Sequence, residues 1–64
     1  MVFMDKQEII DFRKFLGVSQ EKLAQMVGTT FVTINRWENG RTKPSRIFAK
    51  EIKKIMVEHG FNVR

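Results

Sequence analysis

No cysteine occurs among the 64 residues, which removes disulfide staples, thiolate metal sites and thiol catalysis in one stroke and fits a reducing compartment. Histidine appears once, at His59, and the carboxylates are scattered, with no close pair beyond Asp5 and Glu8. A hydrolytic site needs a nucleophile with its base, or a metal cluster, and neither set of residues is present; the expectation is a chain without catalysis, metal or cofactor. No apolar run approaches the roughly 20 residues of a membrane span. Met1-Val2-Phe3-Met4 followed by Asp5 lacks the charged start and apolar middle of a signal peptide, so a soluble, cytoplasmic protein is expected. The length allows one small domain over residues 1–64, and such a chain buries only roughly 60% of its unfolded surface, too little for a deep substrate cavity.

What is plentiful is positive charge. Twelve Lys and Arg face seven Asp and Glu, a net charge of +5, which favours an acidic partner. Residues 1–35 are balanced, and so are the last ten. Residues 36–54 hold seven basic side chains (Arg36, Arg41, Lys43, Arg46, Lys50, Lys53, Lys54) against Glu38 and Glu51, so the entire excess falls in that stretch. Such clustering fits one surface turned to a polyanion; a solvated Lys-rich helix face has the same composition.

Punctuation and periodicity predict an all-α domain of four to five helices. The single Pro and the four Gly fall between apolar-periodic segments, and no segment alternates with period two. Asp5 caps a first helix over residues 6–16, with Glu8 reaching back and Met4 and Ile9 in staple positions. Its inward stripe is Ile9, Phe12 and Leu16, and Gly17 supplies the exit. Ser19 opens a second helix over residues 20–27, with Leu23, Ala24 and Val27 inward and Gly28 as its stop. Thr30 caps a third over residues 31–39, with Ile34 and Trp37 inward and Asn39-Gly40 ending it. Ser45 caps the last, to about residue 58, which buries Phe48, Ala49, Ile52, Ile55 and Met56; Gly60 closes it, and Phe61 and Val63 are free to fold back onto the core.

Only Gly28-Thr29-Thr30 separates the second helix from the third. So short a link makes the two cross steeply, which is the arrangement of a helix-turn-helix over residues 20–39. Ala24 is small where the helices approach, and Gly28 stands where the backbone needs positive φ.

At these residues the sequence resembles the phage repressor and Cro-type helix-turn-helix regulators, also called XRE-like. The resemblance runs from about Ile9 to Ile55. It rests on Arg13, on Leu16-Gly17-Val18-Ser19-Gln20-Glu21-Lys22-Leu23-Ala24, on Gly28, and on Ile34-Asn35-Arg36-Trp37-Glu38-Asn39-Gly40-Arg41 with Lys43-Pro44-Ser45. Trp37-Glu38 with Pro44-Ser45 is most similar to the small bacterial members, many of them antitoxin or autoregulator subunits. The resemblance implies a lambda-repressor-like DNA-binding domain whose third helix lies in the major groove of double-stranded DNA. It implies base-reading positions at Phe31, Val32, Thr33 and Arg36, with Asn35 a further candidate. Arg36 has the fork to hold guanine O6 and N7. Phe31 and Val32 depart from the family pattern, where polar residues stand, and leave only apolar contact with thymine methyls as direct readout. Phe31 also lies three residues before Ile34, a spacing that equally allows it to fold into the core.

A phosphate clamp is implied at Ser19, Gln20, Thr30, Arg41 and Lys43, with backbone amides near Gly40. Arg13 and Glu38 match a structural ion pair of the family. One domain reads only a short half-site, so a homodimer on a palindromic operator is expected, with the last helix and residues 61–64 as candidate interface. Two other functions fit parts of the chain. A membrane-surface role for residues 45–58 would take away the apolar face that covers the first three helices. A protein-interaction module, such as an antitoxin or adaptor bound to a toxin or other partner, would use Phe31 and Val32 with Phe3, Met26, Phe61 and Val63 as an apolar patch.

Overall fold

A computed structural model describes residues 4–61. Four helices follow in order: α1 (Lys6–Leu16), α2 (Gln20–Val27), α3 (Phe31–Glu38) and α4 (Arg46–Glu58), with no strand among the described residues. Val63 and Phe3 lie outside that range.

Each helix begins at a side chain that takes up an orphan amide. At α1 the Asp5 carboxylate accepts from the Glu8 amide at 3.0 Å, and the Glu8 carboxylate accepts from the Asp5 amide at 3.3 Å, a reciprocal capping box. Ser19, Thr30 and Ser45 accept from the amides of Lys22, Thr33 and Phe48 at 3.0, 3.3 and 3.3 Å. A cap of this kind contributes about 1 kcal/mol, which matters for helices of only eight residues such as α2 and α3. Between those two, Gly28 adopts φ 89°, and the amides of Gly28 and Thr29 both donate to the Ala24 carbonyl at 2.9 Å. That left-handed residue closes α2 and turns the chain within three residues.

The core is one apolar cluster. Ile9 and Phe12 of α1 meet Leu23, Ala24 and Val27 of α2 and Ile34 and Trp37 of α3; Ala49, Ile52, Ile55 and Met56 of α4 complete it. Met4 is buried too, beyond its staple role at the head of α1. Leu16 and Phe48 pack at the edge, half-buried, rather than inside. Phe48 leans on Trp37 with ring centroids 5.6 Å apart, and Phe61 folds back onto Phe12 and Phe15 at 5.3 and 5.1 Å. Full burial of a side chain the size of Phe12 or Ile34 stabilises by roughly 1.5–3 kcal/mol. α3 rests against both α1 and α2 and meets α4 through Trp37 and Phe48, while α4 packs against α2.

Candidate nucleic-acid interface

The eight residues of α3 divide cleanly. Ile34, Trp37 and Glu38, spaced three and four apart, are buried. Phe31 and Val32 are 47% and 52% exposed, Arg36 is exposed, and Thr33 and Asn35 are half-buried. Phe31 therefore stands outside the core. It does so although its spacing of three from Ile34 would allow it to share the buried stripe.

The inner side of α3 is locked by a polar network. The Arg13 guanidinium donates to Glu38 twice, Nε to Oε2 at 2.7 Å and Nη2 to Oε1 at 3.0 Å, and Nη1 donates to the Val18 carbonyl at 3.1 Å. The Glu38 side chain is only 6% exposed and that of Arg13 22%. The hydrogen bond to Glu38 raises the Arg13 pKa above its already high ordinary value; desolvation opposes this and the nearby carboxylate charge adds to it. Since the folded pKa is the higher one, the stabilisation that Arg13 gains by holding its proton is lost only in strong alkali.

Gln20 joins this network. Its Nε2 donates to Glu38 Oε1 at 3.0 Å, its Oε1 accepts from Asn35 Nδ2 at 3.3 Å, and Asn35 Oδ1 accepts from Asn39 Nδ2 at 3.0 Å. A chain of amides thus runs from the end of α3 back to the first residue of α2. Gln20 Nε2 has two hydrogens, of which Glu38 takes one. Asn35, a candidate base reader by resemblance, has both ends of its amide engaged within the protein.

The remaining predicted positions are capping or loop residues. Ser19 and Thr30 cap α2 and α3, and the Thr30 and Thr33 hydroxyls lie 3.0 Å apart, so Thr33's polar group is turned to its own cap. Arg41 and Lys43 are exposed in the loop between α3 and α4. The amides expected near Gly40 are a correction. Gly40 donates to the Trp37 carbonyl at 3.1 Å and Arg41 to the Arg36 carbonyl at 3.0 Å. The last carbonyls of α3 have no partner within the helix and take those donors, so neither amide is left to hold an anion.

Two features of the charge distribution were not legible beforehand. Lys53 of α4 sits 3.9 Å from Glu8 of α1, so part of the excess in residues 36–54 is answered inside the molecule. Conversely, Lys6 of α1 passes over Gly40: a Cβ placed there would lie 3.3 Å from Lys6 Cδ and 3.9 Å from Nζ. With φ 75° as well, Gly40 lets the Lys6 ammonium lie beside the loop that carries Arg41 and Lys43. No sequence signal links positions 6 and 40.

Among the described residues no helix is long and apolar enough to cross a membrane. An uncharacterized HTH-type transcriptional regulator of Methanothermobacter thermautotrophicus is 46% identical over 48 residues, spanning 75% of this chain and 70% of that protein. The family described as "Helix-turn-helix" matches residues 9–60. That span takes in all four capped helices except the first three residues of α1, together with the Arg13–Glu38 pair and the exposed face of α3. On these grounds the chain belongs to the helix-turn-helix family of Cro/C1-type, XRE-like DNA-binding regulators.

Proposed function

We propose that this chain is a sequence-specific transcriptional regulator of double-stranded DNA, acting as a repressor, with α3 in the major groove. The observation that carries the proposal is the division of α3: Ile34, Trp37 and Glu38 hold it to the globule while Phe31, Val32 and Arg36 face outward, with Arg41 and Lys43 exposed in the loop that follows. Arg36 reads a guanine edge. Gln20, through its second Nε2 hydrogen, joins Ser19, Thr30, Arg41 and Lys43 on the phosphates, which set register and affinity rather than sequence. The name of the Methanothermobacter relative supports a regulatory role. A repressor of this kind occludes a promoter and needs neither cofactor nor catalytic group.

Two copies, one helical turn apart on a palindrome, supply the affinity that a single short half-site lacks. The apolar residues left on the outside of α4 support this, since Ile47 and Val57 are 78% and 67% exposed. The same two residues favour a second reading, in which a protein partner such as a toxin covers α4. Salt separates the two. Phosphate neutralisation makes log K fall linearly with log salt, whereas an apolar protein contact is nearly indifferent. Duplex binding titrated between about 50 and 200 mM salt is expected to weaken steeply. Affinity that stays flat across that range overturns the DNA reading.

A further inference from the structure

We infer that Phe31 and Val32 read the C5-methyl groups of pyrimidines in the major groove, so that the protein selects thymine or 5-methylcytosine over the unmethylated base. The inference rests on the DNA reading proposed above and states what the apolar part of that surface recognises. Phe31 and Val32 are neighbours on the first turn of α3, about half exposed, and neither belongs to the buried core cluster. They offer no donor or acceptor, so they gain nothing from the polar edge of a base. The one apolar group that base edges present in the major groove is the C5 methyl.

The polar side chains nearby leave this task to them. Thr33 and Asn35 are half-buried, the Thr33 hydroxyl paired with Thr30, and Asn35 donating from Nδ2 to Gln20 and accepting at Oδ1 from Asn39. The exposed side chains of α3 are an apolar pair and one guanidinium. The exposed cations of this helix and the loop after it, Arg36 and Arg41, match the charge of a duplex. Val32 and Arg36 are one turn apart on the same side, a rise of about 6 Å. With base pairs stacked about 3.4 Å apart, the methylated pyrimidine and the guanine fall within about two base pairs of each other.

The test is on the DNA and leaves the fold untouched. The whole chain selects duplexes from a random pool, and in the recovered sequence each thymine is replaced in turn by deoxyuridine, which removes the methyl and keeps every hydrogen-bonding group. At one or two positions per half-site, uracil is expected to weaken binding about fourfold per methyl. At those positions a 5-methylcytosine·guanine pair is expected to outbind a cytosine·guanine pair by a similar factor. If thymine remains the tightest of the four, thymine is the natural source of the methyl; if 5-methylcytosine exceeds it, methylated DNA is. Either order supports the inference. Val32→Ala and Phe31→Ala, checked for unchanged thermal melting, are expected to erase the thymine–uracil difference. Uracil equal to thymine everywhere, with salt-dependent binding intact, overturns methyl reading and leaves the proposed function standing. A uracil effect that survives both alanine variants overturns the assignment to these residues. Absence of salt-dependent duplex binding sinks both proposals.

Discussion

The two faces of α3 are built on opposite terms. On the inner face Ile34, Trp37 and Glu38 are buried, and Glu38 collects donors from α1 and α2: two from Arg13 and one from Gln20. On the outer face Phe31, Val32 and Arg36 are exposed and stand outside the buried core cluster. A helix of eight residues is marginal on its own in water, so the outward face exists only because the inward one is fastened. Anchoring and presentation are thus assigned to different residues, and substitutions on the two faces are expected to give different kinds of defect.

The largest effect is expected at the anchor. Arg13→Ala leaves the Glu38 carboxylate in a nearly closed site with one remaining donor, Gln20, and costs roughly 3 kcal/mol of stability. For a domain of this size each kcal/mol lowers the melting temperature by roughly 4–8 °C. Thermal melting followed by circular dichroism is expected to show that fall for Arg13→Ala, whereas the exposed Lys14→Ala stays within about 0.5 kcal/mol of the parent. Equal, small shifts for both would break the contrast between the faces.

Arg36→Ala is the counterpart on the outward side. Its side chain is exposed, so melting is expected to be unchanged. Duplex affinity is expected to fall by about 1–3 kcal/mol on the preferred site, with preference lost at one G·C pair only. Uniform weakening across all sequences would reassign Arg36 to the phosphates. Gln20→Ala sits between the two regions, because one amide hydrogen supports Glu38 and the other is turned to the phosphates in the proposed complex. It is expected to cost about 1 kcal/mol of stability and, in addition, to weaken all duplexes alike. A loss confined to melting would place Gln20 wholly on the anchoring side.

How much of this was readable in the sequence follows from the range of each interaction. The helix starts were legible because a capping side chain and the amide it serves stand three residues apart, as at Asp5 and Glu8 or Ser45 and Phe48. The stripes through Ile9 and Phe12, or Ile52, Ile55 and Met56, were legible because helical spacing fixes which residues share a face. The link from Gln20 to Asn35 and Asn39 was not. Neutral amides carry no periodic or charge signal, and a contact across fifteen residues depends on how α2 and α3 come to rest. The same limit hid Lys6 beside Gly40, and it left Phe31 open between core and surface, since spacing alone does not fix how the first turn of α3 comes to rest.

Lys6 gives the smallest expected effect and the sharpest check on where the outward surface ends. Its stem crosses Gly40 and brings a charge from α1 to the loop of Arg41 and Lys43, although nothing in residues 1–35 as a group is basic. If that loop follows the phosphates, Lys6→Ala is expected to lower the slope of log K against log salt by just under one, as Arg41→Ala does, with sequence preference unchanged. Lys53→Ala serves as the control: its ammonium is directed to Glu8, and its removal is expected to leave the slope where it was. A slope that responds to Lys53 and not to Lys6 would move the phosphate contacts from the loop after α3 to α4, because counterion release counts only those cations that replace salt at the duplex.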